Sequence, residues 1–459
     1  MSTDPAHAQL GISPLRRTAL RTTMGLASVT SMVVGIIVGA SIFVQPAEVT
    51  RLAPSPRGVM LAWLAAGVLT MCAALVCAEF SWLFPETGGV YVFLRKTYSP
   101  VLGFLWGWGM FWTMHTGILA AIAVVAARYA GYFFGLGETG VRLLAMAAIL
   151  AVSLVQYMGV KAGSAVQVTL TVAKVTAIGV MCVLLFALGG AAHRSLPVEA
   201  AQQGSVSWSF AAFGLAIAAG LFSFGGFHMS TYAAGETRDP ERTIPRALIL
   251  GVLIVTACYM LLNAAYLYVM PLSAVASSTR VAADAITRIL GARGSAAITL
   301  LIIVSALGSL NGIALAGPRV YYAMAQDGLA FRWMAALHPQ RQTPHLAIAA
   351  QAFWACVLAA TNSYRALFTR VVYTEWLFFA LLAAGIFVLH RRRQYQPRYL
   401  RPLYPLVPAV SLVTSAAIAI NQIRSTPRES AIGLGLILLG LPIYFVWSHR
   451  GTNKPAAAS

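Results

Sequence analysis

Acidic side chains are scarce: 13 Asp and Glu stand against 32 Lys and Arg, and charged residues of both signs make up only 10% of the 459 positions. So little charge cannot solvate the surface of a soluble globule of this length. Cysteine is also rare. Cys72, Cys77, Cys182, Cys258 and Cys356 lie apart inside apolar stretches, which gives neither metal spacing nor a disulfide framework; there they act as small polarisable hydrophobes. No Asn-x-Ser/Thr acceptor occurs, which fits a bacterial chain. There is no metal-spaced His/Asp/Glu cluster, no phosphate-cradling Gly loop ahead of a helix and no Ser/His/Asp set with a shared location. Without such a constellation a polytopic enzyme is disfavoured, and neither cofactor nor metal is expected. Residues 1–21 are polar and basic and lack the apolar run and cleavage site of a signal peptide; they are expected to form a cytosolic tail.

What the chain has in abundance is apolar length. Hydrophobic residues make up 59% of it, in successive runs of nearly uncharged positions. A hydrocarbon core about 30 Å thick takes a helix of roughly 20 apolar residues, whose backbone bonds close within the segment. Twelve spans are expected, centred at about residues 33, 70, 112, 150, 178, 218, 258, 303, 352, 381, 412 and 440. The net charge of +19 does not form the continuous face a nucleic acid would need, because Lys and Arg sit in short loops between spans. Their bias follows the positive-inside rule with both termini cytoplasmic, most clearly at Arg16, Arg17 and Arg21 and at Arg391, Arg392 and Arg393.

Two spans are interrupted at membrane depth. Span one reads Gly35-Ile36-Ile37-Val38-Gly39-Ala40-Ser41-Ile42-Phe43, with Pro46 following; span six reads Leu221-Phe222-Ser223-Phe224-Gly225-Gly226-Phe227-His228. Each alone could be a close helix contact of the small-xxx-small kind. Together they open two sets of five spans, as an inverted repeat requires, and paired interruptions of this kind point to a transporter site. An unwound helix frees N–H donors at the start of its outer half and carbonyls at the end of its inner half. These match the carboxylate and the ammonium of an amino acid.

The chain resembles the amino acid-polyamine-organocation superfamily, and within it the L-type amino acid transporters and their bacterial relatives. The fragments that carry the resemblance are GASIFVQP in span one, Ala78-Glu79-Phe80 leading into Pro85-Glu86-Thr87-Gly88-Gly89-Val90-Tyr91, and FSFGGF followed by ETRDPERTIPRA. Further on come Asn311-Gly312 through Gly317-Pro318-Arg319 to Asp327-Gly328, and Glu375-Trp376-Leu377-Phe378-Phe379. The resemblance implies an all-α, LeuT-type fold with inverted repeats at 22–190 and 207–393, two further spans at 402–449 and a cytosolic tail at 450–459. It implies a plasma-membrane (bacterial inner-membrane) permease or antiporter that exposes one central site to each side in turn. The substrate carboxylate would meet the backbone of Gly39, Ala40, Ser41 and Ile42, and its ammonium the carbonyls of Ile36, Ile37, Phe222 and Ser223. Phe224 and Gly225 complete the span-six side, and Phe222 stands as an aromatic gate. Lys174 would occupy the place of an ion in sodium-coupled relatives, which implies sodium independence; a lysine at that depth is costly unless it is paired.

Three departures from the family stand out. Ser41 replaces a glycine and would restrict positive φ at the turn. Phe227-His228 replace Trp-Asn. No cysteine lies at residues 134–141, where animal relatives bond an ancillary glycoprotein, so no disulfide-linked subunit is expected. Glu79 is read as a structural partner or gate residue, and with Lys174 and His228 as a coupling candidate. Glu375 is either a countercharge for a cationic substrate side chain or, the favoured alternative, a neutral acid hydrogen-bonded within the bundle. His115 and His228 are expected to be neutral and hydrogen-bonded, with proton carriage as the alternative. Arg238 to Arg246 could latch the inner gate. Rivals to the α-amino acid carrier are a cationic amino acid or polyamine carrier, and a transporter-like sensor.

Overall fold

The computed structural model describes residues 20–190, 209–361, 364–392, 395 and 397–451. Most of the two expected tails, and Arg16, Arg17 and Arg393 with them, lie outside these residues. Helix α1 (Leu26–Ile37) is separated by a short 3-10 turn, Ser41–Phe43, from α2 (Gln45–Leu52). Ser55 caps the long α3 (Pro56–Leu83) by accepting from Gly58 N at 3.0 Å, with Pro56 in the first turn where its missing N–H costs nothing. A short α4 (Val90–Thr97) precedes α5 (Pro100–Phe134), whose middle, Met110–Met114, is π-helical. Gly135, at φ +60°, ends α5 in the left-handed conformation. α6 (Glu138–Tyr157) and α7 (Val160–Leu188) follow.

The second half opens with α8 (Phe210–Phe222), a turn through Gly226, and a ten-residue 3-10 segment, Phe227–Glu236. Then come α9 (Pro240–Val269), the short α10 (Leu272–Ser277), and α11 (Val281–Gln326), which kinks at Gly291. The chain closes with α12 (His345–Thr361), α13 (Tyr364–His390), α14 (Leu406–Ser425), α15 (Pro427–Leu438) and α16 (Gly440–Gly451).

Among the described residues ten helical stretches are long and apolar enough to cross a membrane, and α1 and α12 are shorter apolar helices. A 28-residue helix such as α3 is about 42 Å long, ample for a core about 30 Å thick. The described residues contain no strand, only one bridge between Met24 and Thr237. Large apolar side chains face outward on several helices, among them Leu154 on α6, Phe353 on α12 and Val413 on α14, each at least 60% exposed. In water such a surface would aggregate; in lipid it is the solvated side.

Inside, some polar side chains bridge one helix to another. Gln156 on α6 donates to Asn311 Oδ1 on α11 at 2.7 Å, and Asn311 donates to Gln167 Oε1 on α7 at 2.9 Å. This amide ladder fixes the register of three helices where apolar contact alone would let them slide. α3 and α9 pack together along much of their lengths, and α1 lies against α7, α9 and α11. The two interrupted segments thereby meet mid-bundle.

Candidate functional site

The break in α1 begins where Val38 leaves helical geometry (φ −72°, ψ +82°). Its carbonyls, released from the helix, are taken up by side chains of other helices. Lys174 on α7 donates to Gly35 O at 2.8 Å and Val38 O at 2.7 Å, and to Ser305 O on α11 at 2.9 Å. Ser305 Oγ donates to Val38 O at 2.9 Å and Ser309 Oγ to Gly35 O at 3.0 Å. The ammonium is fully buried, and its three carbonyl partners offset a desolvation cost of several kcal/mol. Gly308 makes room for it, since a Cβ there would stand 2.8 Å from Lys174 Nζ.

The second break follows Phe222, and Gly226, at φ +93°, turns the chain into the 3-10 segment. A Cβ on Gly226 would lie 2.5 Å from Ile36 Cγ2, so glycine is required both by conformation and by the approach of α1. One hydroxyl joins the two breaks: Tyr259 on α9 donates to Ile37 O at 3.1 Å and to Ser223 O at 2.9 Å.

Between the breaks lies a cavity of ≈ 120 Å³. A water needs about 10–15 Å³ by a comparable measure, so the space suits one molecule the size of an amino acid. The expected residues Ile36, Ile37, Gly39, Ala40 and Ser41 line it on one side, and Phe222, Ser223, Phe224 and Gly225 on another. Glu375, Trp376 and Phe379 of α13 close a third. Ile118, Ile122 and Val125, on one face of α5, carry it away from the Met24 end of the bundle. Ile42 is fully buried outside the lining. Among the described residues, the N–H groups of Ala40 and Ile42 reach no backbone carbonyl.

Several expectations require correction. Ala40, at φ −69°, is right-handed, and Ser41 is absent from the positive-φ residues; the turn is a 3-10 turn that any L-residue can adopt, so serine imposes no strain. Glu375 makes no hydrogen bond among the described residues, and its Oε1 is buried without a partner. The bundle therefore does not satisfy it as a hydrogen-bonded neutral acid would be. Both nitrogens of His115 and of His228 are likewise buried without partners. His228 packs among Trp106, Tyr232 and Phe379 at centroid distances of 5.9, 5.7 and 4.8 Å, so aromatic contact takes the place of the expected hydrogen bonds, and neither ring lines the cavity.

Glu79 lies away from the cavity as well. Its carboxylate accepts from the backbone N–H of Arg398, Tyr399 and Leu400 at 2.9, 2.7 and 3.1 Å, and from Tyr395 Oη at 3.1 Å. It is the anchor of the segment between α13 and α14. Burial, and then the carboxylate's charge, push the Tyr395 phenol above its ordinary range, so it remains a donor at neutral pH.

At the Met24 end the bundle is closed. Thr23 N and Met24 N both donate to Glu236 O at 2.9 Å. The Glu236 side chain receives a fork from Arg319 on α11, Nε to Oε2 and Nη2 to Oε1, each at 3.0 Å and fully buried. Beside it Asp327 pairs with Arg95 and accepts from Tyr91 Oη, and Lys96 pairs with Glu86. The latch expected from Arg238 to Arg246 forms no ion pair among the described residues; Glu236 and Arg319 hold that position instead. Both lay within the quoted motifs, and an arginine inside an apolar helix was the signal that could have found them. Tyr259, Ser305 and Ser309 also escaped sequence reasoning, although two serines four residues apart share one helix face.

A lipid-facing helical bundle whose two broken helices meet at a closed-ended, amino-acid-sized cavity is a small-molecule carrier rather than an enzyme. The amino acid permease family model matches residues 24–446, and the chain belongs to that family. It is similar to the serine/threonine exchanger SteT of Bacillus subtilis, 30% identical over 436 residues that cover 94% of this chain and 98% of the relative. It also resembles the human b(0,+)-type amino acid transporter 1, at 29% identity over 442 residues (95% and 89% covered). The human large neutral amino acids transporter small subunit 2 matches at 27% over 440 residues (94% and 82%). The protein is thus a multi-pass integral membrane amino acid permease or exchanger, close to the L-type transporters.

Proposed function

We propose that the chain exchanges α-amino acids across a bacterial inner membrane by alternating access, without sodium and without a disulfide-linked partner. The observation that carries the proposal is the Lys174 ammonium seated on Gly35 O, Val38 O and Ser305 O, between α1, α7 and α11. A fixed positive charge among those carbonyls repels a sodium ion from the same acceptors. The substrate carboxylate meets the N–H groups around Gly39, Ala40 and Ser41, where a half-helix begins. The ammonium meets the carbonyls of Ile36, Ile37, Phe222 and Ser223. Phe222, at the end of α8 on the cavity wall, covers the bound molecule.

Ten long helices and two short ones support twelve crossings, with repeats at 22–190 and 207–393 in a LeuT-type arrangement and a further pair at 402–449. The Met24 end is the cytosolic end, so the closed latch there and the cavity running along α5 correspond to an outward-facing carrier. Purified protein in liposomes loaded with unlabelled serine, threonine, leucine or arginine should take up the labelled amino acid equally in sodium and in choline buffers. Uptake that requires sodium, or binding without any exchange, would overturn the proposal.

A further inference from the structure

The cavity wall carries one ionisable side chain, Glu375; among the described lining residues there is no Lys, Arg, His or Asp. Glu375 is 8% exposed, enters no salt bridge and no hydrogen bond among the described residues, and its Oε1 is buried without a partner. Buried polar groups are almost always satisfied, and one that is not needs an explanation such as an absent ligand. Lys174, the cation at the break of α1, has its three protons committed to three carbonyls. The acid is therefore open for something that enters the cavity.

Its surroundings define what that something is. Trp376 and Phe379 line the cavity from the same helix, and Phe222 and Phe227 line it from the second break. Trp376 meets Phe379 edge-on at 5.7 Å, and Phe227 meets Phe379 at 5.6 Å. A carboxylate among aromatic faces is a receptor for an ammonium or guanidinium, which gains both ion pairing and cation–π attraction in a desolvated space. A zwitterionic amino acid is balanced by the backbone groups of the two breaks, one set for each charge. A neutral side chain offers the buried acid no counterion, whereas a side chain ending in a cation pairs with its carboxylate and makes the whole assembly neutral.

We propose that Glu375 is the specificity-determining residue of the cavity, and that it selects amino acids whose side chains end in a cationic amine or guanidinium. The proposal rests on the central cavity being the amino acid site, and it goes further by naming the substrate class.

The test compares arginine with citrulline, which replaces the guanidinium by a neutral urea of nearly the same shape, as competitors of labelled exchange in liposomes. In the wild-type protein arginine should compete at least tenfold more strongly than citrulline. In Glu375→Gln the ratio should fall to near one; a ratio is read because it is independent of how much active protein each preparation contains. If Gln at 375 prevents folding, Glu375→Asp should lower the ratio, because the shortened acid no longer reaches the same point. A wild-type ratio near one, or a ratio that survives loss or shortening of the acid, overturns the proposal while leaving amino acid exchange intact. Absence of exchange with every amino acid would strike at the proposed function instead.

Discussion

The buried fork between Arg319 and Glu236 allows a sharp test of how the Met24 end is held shut. Glu236→Gln preserves shape and one acceptor but leaves the Arg319 guanidinium without its counterion. Both partners are fully buried and both bonds are 3.0 Å long. Breaking one side of such a pair costs about 3–5 kcal/mol, and since glutamine keeps one bond, about 3 kcal/mol is expected here. At 1.4 kcal/mol per factor of ten, an equilibrium between closed and open ends moves by roughly a hundredfold. The readout is alkylation of a cysteine introduced by Met24→Cys, a position 1% exposed, beside the melting temperature in detergent. Glu236→Gln should raise the labelling rate at least tenfold and lower the melting temperature. The pair Glu236→Leu with Arg319→Met should recover most of the melting temperature, because apolar replacement of a buried ion pair is often neutral. Labelling should nevertheless stay fast. If Glu236→Gln labels and melts like the wild type, the fork does not hold the end closed.

Other perturbations follow from the same contacts. Lys174→Met removes three carbonyl bonds but leaves Ser305 and Ser309 on the carbonyls of the break; the variant should fold yet exchange at least tenfold more slowly, and wild-type exchange would refute the tether. Tyr259→Phe deletes the hydroxyl shared by Ile37 O and Ser223 O, worth about 1–1.5 kcal/mol. Exchange kinetics at varied substrate should change by a factor of five to ten, and unchanged kinetics would mean that the bridge is idle. Ser41→Gly relieves no strain, since position 41 is not in the left-handed region. Its added backbone freedom should lower the melting temperature by a few degrees, and faster exchange with a higher melting temperature would contradict the turn described here.

Much of the site was legible in the sequence because its chemistry is local. Small residues at 35, 39, 40 and 41 and the glycine pair at 225 and 226 mark breaks because they recur at equivalent places in two sets of spans, and a lysine at depth must find acceptors. The escaped features are long-range. Glu236 and Arg319 are 83 residues apart, and Tyr259 reaches Ile37 across 222; nothing in either neighbourhood names the other. The hydrogen bonds expected of His115, His228 and Glu375 are missing for a related reason: a residue's need for a partner is written in its type, and whether the fold provides one is written elsewhere. Ser41 was misjudged because a break can be built from right-handed turns as well as left-handed ones.

The Glu79 anchor has a consequence for how the chain is made. Its partners, Tyr395 through Leu400, lie 316 to 321 residues further along. During synthesis α3 must enter the bilayer long before the N–H groups that satisfy its acid have left the ribosome. Until then the carboxylate must either take up a proton or keep its end of the helix at the water boundary. A late contact therefore completes one of the first helices, and a chain cut after α13 would retain an unmatched acid in its core. Such truncations should be recognised as unfinished by the quality control of the membrane, even though the central cavity is already assembled.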